Sequence, residues 1–590
     1  MDRKGIIAVT IAVLVLIGWT YWNSQEMQKT AALQAKAKAA AAEAALKAKP
    51  PEVEKPAETT NPGEALPANS APTQPNEPAK IETLNSPSVE YAFSNLGGGI
   101  VTARLKTHEA ERGTRMILNE FGSIPIGTIS EAAGEGTQAP FTTTIDAGKG
   151  TATFDRTDAR QLQITKTFTV PKSKDLDKDY IATLEVTFTN HAAEPLKLPG
   201  YFVHTGSAAP VHQRDLSTYT GFTWAGGKFR TATDFSGGWF HPEQTTFTVA
   251  QEGIAWAAVA DQYFTTMVIP QVPGQDSVAD AKLRGNSIWT RRFAISDAAW
   301  KEAGRSPEGN TATRYAVDGA LGMPAITIDP GKSLTRSFRI YAGPREYGRL
   351  RIMPDGEADA MNYGFFAPVS KLLLNSMNWL NSKLGSYAWA IIVLTLLIKC
   401  ILWPMQNKAT RSMKRMQLLQ PKMTELREKY KDDPAKMNTE LMKIYKVYGV
   451  NPLSGCLPMF VQLPVFWGFY GVLGTAVELR NSTFLWVHDL SQPDTLFHLP
   501  GLGYPVNVLP LCMAVTMFWQ MAISPKSGDA TQQKIFMFMP LIFVGFCYNY
   551  ASALALYWTV QNLFSVAQLY VTRNQAPPTL QKVVAPVKKK

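Results

Sequence analysis

Cysteine is scarce in this sequence, and the first half of the chain has none. The N-terminal half therefore contains no disulfide bonds, and its stability must come from a hydrophobic core, which a segment of about 260 residues can build. No CxxC pair and no Cys/His cluster with zinc spacing is present, so the sequence shows no recognisable metal site. The four cysteines lie within or next to apolar runs of the second half: Cys400, Cys456, Cys512 and Cys547.

Acidic residues and histidine are missing from five apolar segments in the second half. Each segment is expected to form a membrane-spanning α-helix, because a backbone in lipid must satisfy its own hydrogen bonds. Lys399 is the only strongly ionisable residue within them, so it has no built-in counter-ion there. Proton-coupled transporters usually need carboxylates or histidines at membrane depth, which argues against a secondary transporter. The five segments are 386–405, 453–477, 505–523, 535–550 and 553–571.

The 590-residue chain is longer than one domain usually is, and its composition changes near Gly364. Residues before this point have the composition of an ordinary soluble protein. Residues after it form long apolar runs separated by basic loops. Because many of the basic residues lie in these loops, the net charge of +11 does not by itself indicate nucleic-acid binding.

Residues 1–23 are predicted to form an N-terminal transmembrane anchor. The segment 5–22 carries no charge, and it ends in aromatic residues that suit the membrane interface. A cleaved signal peptide is the alternative, but the small-x-small sites lie far beyond the apolar run. Residues 24–80 are Ala/Lys-rich and then Pro-rich, which predicts a disordered tether.

Residues 81–345 are predicted to form a large antiparallel β-sandwich. The segments 162–170 and 181–190 alternate apolar and polar residues, and Gly and Pro clusters recur between such runs. After this domain, 363–384 has apolar residues near helical spacing, which predicts an amphipathic helix on the membrane surface. An ordinary packed helix of the sandwich is the alternative.

The distribution of charge predicts the membrane topology. Residues 406–451 carry many lysines and arginines, whereas 478–504 has Arg480 against three acidic residues. The positive-inside rule therefore places 406–451, the N-terminus and the basic tail 574–590 in the cytoplasm. The β-sandwich is then outside, and the anchor and the five apolar segments make six spans.

Residues 406–451 are predicted to form a basic, methionine-rich helical hairpin at the cytoplasmic surface, with "DDPAK" as its turn. Methionine-rich surfaces suit promiscuous apolar binding. The alternative is a solvated loop whose charges only set the topology. The residues predicted to recruit a substrate are Arg411, Lys414, Arg415, Met416 and Met423.

Uncharged polar residues follow one face of the last apolar segment and one face of 505–523. Thr395 lies one turn before Lys399, and Gln462 lies inside 453–477. Aligned polar faces on separate helices predict a shared hydrated cavity that Lys399 faces. Two alternatives remain open: Lys399 extends to the cytoplasmic headgroups, or the polar residues only join helices by hydrogen bonds. The aligned residues are Tyr557, Gln561, Ser565, Gln568 and Thr572, and Thr516, Gln520 and Ser524.

A hydrated groove in the inner leaflet with one unpaired cation suits an acidic, unfolded polypeptide segment. Such a segment would enter from the cytoplasm while its apolar part stays against lipid. A membrane potential that is positive outside favours outward movement of an acidic charge by about 2.3 kcal/mol per 100 mV.

Four stretches of the second half resemble the YidC/Oxa family of membrane protein insertases, most closely its long form in bacteria with an outer membrane. The resemblance implies a multi-pass protein of the bacterial inner membrane, with a periplasmic β-supersandwich similar to sugar mutarotases and a cytoplasmic coiled-coil hairpin. It implies insertion of nascent membrane proteins, alone or with the Sec translocon, without enzymatic chemistry or a cofactor. The four stretches are "NPLSGCLPMFVQLPVFWGFYGVL", "VELRNSTFLWVHDLS", "QQKIFMFMP" and "SALALYWTVQNL".

The resemblance also implies roles for individual residues. Lys399 matches the groove cation, which is Arg in many relatives, and the paired tyrosines of relatives are Tyr557 and Trp558 here. An apolar slide, where a nascent span leaves for lipid, matches Leu463, Pro464 and Phe546. Together with the aligned polar faces, the predicted substrate groove comprises Lys399, Thr395, Gln462, Thr516, Gln520, Tyr557, Trp558 and Gln561.

The expected partners are nascent membrane proteins, the ribosome, the Sec translocon and anionic lipids, with no DNA. The tail "QKVVAPVKKK" fits ribosomal RNA or anionic lipid equally well.

A sugar-binding or mutarotase-like role for the β-domain is the rival interpretation, with His204, His212 and His241 as candidate acid/base groups. Their spacing forms no recognisable constellation. The sequence "DPGKS" at 329–333 ends like a phosphate-binding loop, but Ile326 stands where that motif requires glycine. A solute transporter is a third interpretation.

Overall fold

The computed structural model describes residues 79–110, 113–135, 140–212, 215–236, 243–271, 283–305, 314–450, 457–500, 504–524 and 540–573. The predicted anchor, the predicted tail and nearly all of the predicted tether lie outside these ranges, as does His241. Within them, a β-rich part ends with the strand Ser333–Pro344 and a helical part follows. The change of composition near Gly364 therefore marks the change of architecture.

The alternating segments of the sequence form neighbouring antiparallel strands, as predicted. Leu162–Thr169 pairs with Ile181–Asn190, and Leu184 and Phe188 are fully buried because every second side chain of a strand points to the core. The strands are β1 (Ile81–Asn85), β2 (Val89–Ser94), β3 (Gly99–Glu109), β4 (Arg115–Leu118), β5 (Ile129–Ser130), β6 (Thr142–Asp146), β7 (Thr151–Thr157), β8 (Leu162–Thr169), β9 (Ile181–Asn190), β10 (Leu196–Leu198), β11 (Tyr201–Ala208), β12 (Gly221–Trp224), β13 (Arg230–Thr231), β14 (Thr246–Ile254), β15 (Ala257–Ala260), β16 (Phe264–Pro270), β17 (Gly285–Ala294), β18 (Tyr315–Met323), β19 (Ile326–Ile328), β20 (Ser333–Pro344), β21 (Thr495–His498) and β22 (Pro505–Asn507).

Two large antiparallel sheets of the β-domain face each other. Strands β11 and β18 of one sheet lie against β12, β15 and β16 of the other. Phe222, Val259 and Leu321 belong to the hydrophobic core that the two sheets share. The prediction of a β-domain built from antiparallel sheets is confirmed. The strand orders among the described residues are β1-β2-β3-β4, β14-β17-β18-β11-β5, β13-β12-β15-β16-β20-β9-β8-β7-β6, β10-β19 and β21-β22.

Each predicted apolar segment of the second half forms a helix over most of its described residues, but 505–507 forms strand β22 and 548–550 follows the end of a helix. By length and composition, only one helix in the described ranges could cross a membrane unaided, namely Tyr387–Lys429. Phe460–Thr475 and Val508–Ile523 are apolar but shorter, so the count of six spans stays a prediction. The helices are α1 (Asp297–Glu302), α2 (Tyr347–Leu350), α3 (Ala367–Leu384), α4 (Tyr387–Lys429), α5 (Pro434–Val447), α6 (Leu457–Thr475), α7 (Val508–Ile523) and α8 (Ser552–Arg573), and residues 540–547 are also helical.

Helix α3 is the predicted amphipathic helix, but it begins at Ala367 rather than 363 because Gly364–Phe366 forms a 3-10 turn. The polar residue Ser370 is buried and donates a hydrogen bond to a main-chain carbonyl of α6 at 3.3 Å. Leu372 and Trp379 are 67% and 61% exposed on the opposite side. The helix therefore packs on the bundle with one face and offers a second apolar face to its surroundings.

The first arm of the predicted hairpin is a direct continuation of the apolar segment before it. Helix α4 runs through Pro404 and Pro421 without a boundary at 406. The stretch 406–429 has no glycine and is rich in strong helix formers, which outweighs the hydrogen bond that each proline removes. The return arm α5 begins where Asp433 accepts a hydrogen bond from the main-chain N–H of Lys436, a standard helix cap.

Polar contacts dock the β-domain against the helical part. The side-chain amide of Gln262 donates to the main-chain carbonyl of Gly474, at the end of α6, at 2.6 Å. The phenols of Tyr219 and Tyr550 lie 2.7 Å apart, and Arg480 donates to a main-chain carbonyl of β3 at 2.8 Å. The β-domain therefore contacts both α6 and the segment that leads into α8.

Substitution of Gly474 by alanine is expected to weaken this domain contact. The added methyl carbon would lie 2.1 Å from the Tyr550 hydroxyl and 3.0 Å from the Tyr219 hydroxyl. Overpacking of this kind typically costs about 1–3 kcal/mol, so we expect a lower midpoint in thermal unfolding of the full-length protein in detergent. Gly471→Ala is the matched control, because its nearest neighbours would be 3.6 Å away. Equal midpoints for the two variants would contradict the prediction.

Candidate functional site

The polar face of α8 lies where α4 and α6 meet it. Gln561 accepts a hydrogen bond from the side-chain amide of Gln462 on α6 at 3.0 Å, and the same amide donates to the Tyr557 hydroxyl at 3.1 Å. One turn further along α8, Ser565 accepts a hydrogen bond from Lys399 on α4 at 3.1 Å. The structure thus brings together four of the predicted groove residues, and Ser565 joins them.

The ammonium group of Lys399 is enclosed by protein, and only 5% of the residue is exposed. Its hydrogen-bond acceptor, the Ser565 hydroxyl, in turn donates to the main-chain carbonyl of Gln561. In the part of the chain that the structure describes, no carboxylate forms an ion pair with Lys399. The cation therefore has a neutral hydroxyl partner and retains unused donor capacity.

Thr395 is also buried, one turn before Lys399 on α4. Its hydroxyl donates to the main-chain carbonyl of Ile391 at 2.7 Å. This back-bonding within the helix is common for threonine in apolar surroundings. Thr395 therefore lies on the predicted face, and its donor is occupied by its own helix.

Further along α8, two hydrogen bonds to α4 involve residues outside the predicted substrate groove. Gln568 donates to Asn407 of α4 at 3.0 Å, and Lys414 donates to the main-chain carbonyl of Thr572 at 2.9 Å. The sequence places Asn407 just after the apolar segment, within the hairpin, so this residue is not among the predicted groove residues. Its position two turns after Lys399 is the signal that could have identified it.

Thr516 belongs to a different contact from the Lys399 cluster. It accepts a hydrogen bond from Asn562 at 3.2 Å, where α7 packs against α8. Asn562 is about 100° around α8 from Gln561, because one residue follows the other in a helix of 3.6 residues per turn. Gln520 is half-buried on α7. No hydrogen bond among the described residues joins Thr516 or Gln520 to Lys399, so they are not part of its polar cluster.

Trp558 points into an aromatic cluster and not toward the polar face. Its ring lies 4.9 Å from those of Phe466 and Phe543. Tyr557, by contrast, stacks on Phe469 at 4.4 Å while its hydroxyl stays in the polar cluster. Trp558 therefore contributes to the apolar contact between α6, α8 and the helical residues 540–547.

The residues of the predicted slide lie beside this aromatic cluster. Leu463 and Phe546 are 36% and 59% exposed, and Pro464 lies inside α6, which continues through it. Tyr470 stacks on Phe546 with ring centres 6.1 Å apart. Because Gln462 and Leu463 are consecutive in α6, the helix presents an amide to the bundle and an apolar side chain outward.

The hairpin residues divide between an internal core and a basic exterior. Met416 and Met423 pack with Leu419 and Leu441 between the two arms, so these methionines stabilise the hairpin itself. Arg411 and Arg415 lie on its exposed side. The methionines predicted to form a recruitment surface therefore pack inside the hairpin, and the basic side chains form its outer surface.

His204 and His212, the two described histidines of the rival interpretation, belong to separate contacts. His204 is buried and hydrogen-bonded to Ser130 at 3.0 Å, and its burial lowers its pKa to about 3. His212 pairs with Asp215 at 3.1 Å and contacts Gln492 of the helical part at 3.0 Å. His212 is thus part of the domain contact. Across the described ranges, no group of three or more His, Cys, Asp or Glu residues could hold a metal ion.

Two protein-family models match the chain. The model described as YidC periplasmic domain matches residues 82–376, which is half of the chain. The model described as 60Kd inner membrane protein matches residues 379–579. The boundary between the two models falls within α3, where the β-domain gives way to the helical part.

Known relatives agree with these matches. The membrane protein insertase YidC of Syntrophus aciditrophicus (strain SB) is 37% identical over 325 residues, which cover 55% of this chain and 53% of the relative. That of Geobacter sulfurreducens is 30% identical over 501 residues, which cover 82% of this chain and 85% of the relative. A solved structure described as an active YidC insertase with its first transmembrane domain resolved is 18% identical, with a TM-score of 0.31, and the match covers 85% of this chain and 95% of that one.

The chain spans about half the length of the first of these relatives and most of the second. The second alignment extends across both the β-domain and the helical part, and the two family models meet in α3. The resemblance predicted from the sequence is therefore confirmed: the chain belongs to the YidC family of membrane protein insertases.

Proposed function

We propose that this chain is a membrane protein insertase and chaperone that moves nascent apolar segments from the cytoplasm into the bilayer. The single observation that carries the proposal is the buried ammonium of Lys399, which has a hydroxyl partner and, within the described ranges, no carboxylate partner. A cation enclosed by helices with donor capacity to spare can attract an acidic segment, because an interaction with an opposite charge compensates its desolvation.

The geometry supports a path from this cation to lipid. Gln462 of α6 belongs to the same polar cluster as Lys399 and Gln561. The next residue of the helix, Leu463, is exposed, and so is Phe546. A substrate could therefore keep its polar head at the cluster while its apolar segment passes along the slide. No covalent step and no nucleotide are required by such a transfer.

The proposed topology follows the charge distribution. The anchor and the five apolar segments form six spans in the bacterial inner membrane, both termini are cytoplasmic, and the β-supersandwich is periplasmic. Helix α3 then lies along the outer surface of the membrane, and the basic exterior of the hairpin faces the cytoplasm. The proposed partners are nascent membrane proteins, the ribosome, the Sec translocon and anionic lipids.

Reconstitution into liposomes tests this function directly. We expect the purified full-length chain to integrate a short membrane protein with an acidic head in the absence of a nucleotide, measured by protection of its apolar segment from protease. Protein-free liposomes and liposomes with an unrelated membrane protein are the controls. Solute uptake without integration would favour a transporter, and interconversion of sugar anomers would favour the mutarotase-like alternative.

The β-domain is expected to assist insertion without being essential for it. The residues of the Lys399 cluster all come from α4, α6 and α8, and none comes from the β-domain. Deletion of most of 81–345 should therefore lower thermal stability, because Gly474 and Tyr550 lose partners, but leave insertion in the same liposome assay largely intact. An inactive variant with a folded helical part would show that the β-domain has a direct role.

A further inference from the structure

A cleft of about 330 Å³ lies between the β-domain and the first turns of α3. Thr223 and Trp224 of β12 line one side, and residues 358–364 and Lys371 of α3 line the other. Its volume is within the range of small-molecule sites. None of the residues that line it belongs to the polar cluster around Lys399, so it is separate from the proposed groove.

Two opposite charges border the cleft. The Lys371 ammonium and an Asp359 carboxylate oxygen are 3.8 Å apart, and their side chains are 31% and 81% exposed. An ion pair this long and this exposed contributes little to stability. Each partner is therefore available to a ligand. A ligand that carries both a negative and a positive group could satisfy the two side chains at once.

The position of the cleft on α3 places it near a bilayer surface. Leu372, which directly follows Lys371, is 67% exposed, and Phe365 and Trp379 are 54% and 61% exposed. Exposed leucine and aromatic residues on one side of an amphipathic helix are typical of a helix that lies in the membrane interface. A lysine beside them is then at the level of the phospholipid headgroups.

We propose that this cleft binds the phosphoethanolamine headgroup of a membrane phospholipid, with Lys371 on the phosphate and Asp359 on the ammonium. Charge-assisted hydrogen bonds to both ends would replace the long ion pair. Thr223 and Asn362 are further polar residues of the lining. Free glycerophosphoethanolamine carries the same two charges, so the experiment must separate the lipid from the soluble compound.

Native mass spectrometry of the full-length protein, released from nanodiscs of equal phosphatidylethanolamine and phosphatidylglycerol content, tests the proposal. Phosphatidylglycerol has the phosphate but lacks the ammonium. We expect the unmodified chain to retain phosphatidylethanolamine preferentially. Asp359→Asn should remove this preference, and Lys371→Gln should lower retention of both lipids by about fivefold, the upper range for an exposed ion pair. Lys383→Gln, an exposed lysine of the same helix outside the cleft, is the matched control and should change neither.

Equal retention of the two lipids by the unmodified chain, or the same loss for Lys383→Gln as for Lys371→Gln, would overturn the proposal. Displacement of retained lipid by millimolar glycerophosphoethanolamine would support the proposal, because it would indicate that the lipid headgroup and the soluble compound bind the same site. The lipid would be rejected as the ligand if the soluble compound binds but Asp359→Asn and Lys371→Gln leave lipid retention unchanged. Because the readout is retained mass and not insertion, failure of this proposal leaves the proposed insertase function untouched.

Discussion

Lys399→Glu is expected to abolish most insertion of substrates with an acidic head, whereas Lys399→Arg should retain most of it. Glutamate would place a negative charge where the substrate brings its own, and like charges at close range cost several kcal/mol. Each 1.4 kcal/mol corresponds to a tenfold change in an equilibrium constant. We therefore expect a loss of about tenfold or more for Lys399→Glu in the liposome assay. Arginine keeps the charge but changes its hydrogen-bond geometry.

Two controls distinguish the effect of the charge at position 399 from the effect of its surroundings. Ser565→Ala removes the hydrogen-bond acceptor of Lys399 without altering any charge, so it should have a small effect. A substrate whose acidic head has been neutralised should be much less sensitive to Lys399→Glu. Equal activity of Lys399→Glu and Lys399→Arg on the acidic substrate would indicate that the ammonium only reaches the lipid headgroups and takes no part in insertion.

Removal of the hairpin is expected to have the second largest effect. Asn407 and Lys414 of α4 form hydrogen bonds with α8, so the deletion should begin after these residues. Replacement of 417–447 by a short Gly/Ser linker deletes the rest of both arms. We expect insertion to fall to the level of protein-free liposomes, because the deletion removes Leu419, Met423 and Leu441 of the packed core and seven basic residues of the two arms.

The matched control for the deletion is Arg411→Gln with Arg415→Gln, which lowers the charge of the hairpin and leaves its packed core in place. This variant should show a partial loss if the basic exterior recruits substrate. Circular dichroism and thermal unfolding should confirm that the remaining helices of the deletion variant are folded. Full insertion by a folded deletion variant would reject a recruitment role.

The sequence predicted those features that depend on neighbouring residues. Alternation in 181–190 predicted a strand with the same bounds as β9. The spacing of Tyr557, Gln561 and Ser565 predicted one polar face of α8, and Gln462 and Lys399 do contact it. These predictions succeeded because periodicity along one element fixes which side chains share a face.

Features that depend on contacts between distant segments could not be predicted from the sequence. Thr516 faces Asn562, and Trp558 faces Phe466, because of how α7 and α6 are rotated against α8. The docking of Tyr219 on Tyr550 joins residues more than three hundred positions apart. No local pattern encodes such pairs. The continuity of α4 through Pro404 was missed for another reason, since proline usually ends a helix and here does not.

The proposed mechanism requires the surroundings of Lys399 to be open to water and to a passing polypeptide chain. Labelling of Lys399→Cys by a water-soluble maleimide, in a background in which the four native cysteines are replaced, tests this directly in membrane vesicles with the cytoplasmic face accessible. Leu397→Cys, half-exposed on the surface of α4, is the control that should be shielded by lipid. Helices enclose position 399 in the structure, and the proposed mechanism requires them to admit water, so we predict labelling at 399 that is faster than at 397 and that a stalled acidic-headed nascent chain blocks. Labelling at 399 that is as slow as at 397, with or without the nascent chain, would contradict the proposed mechanism.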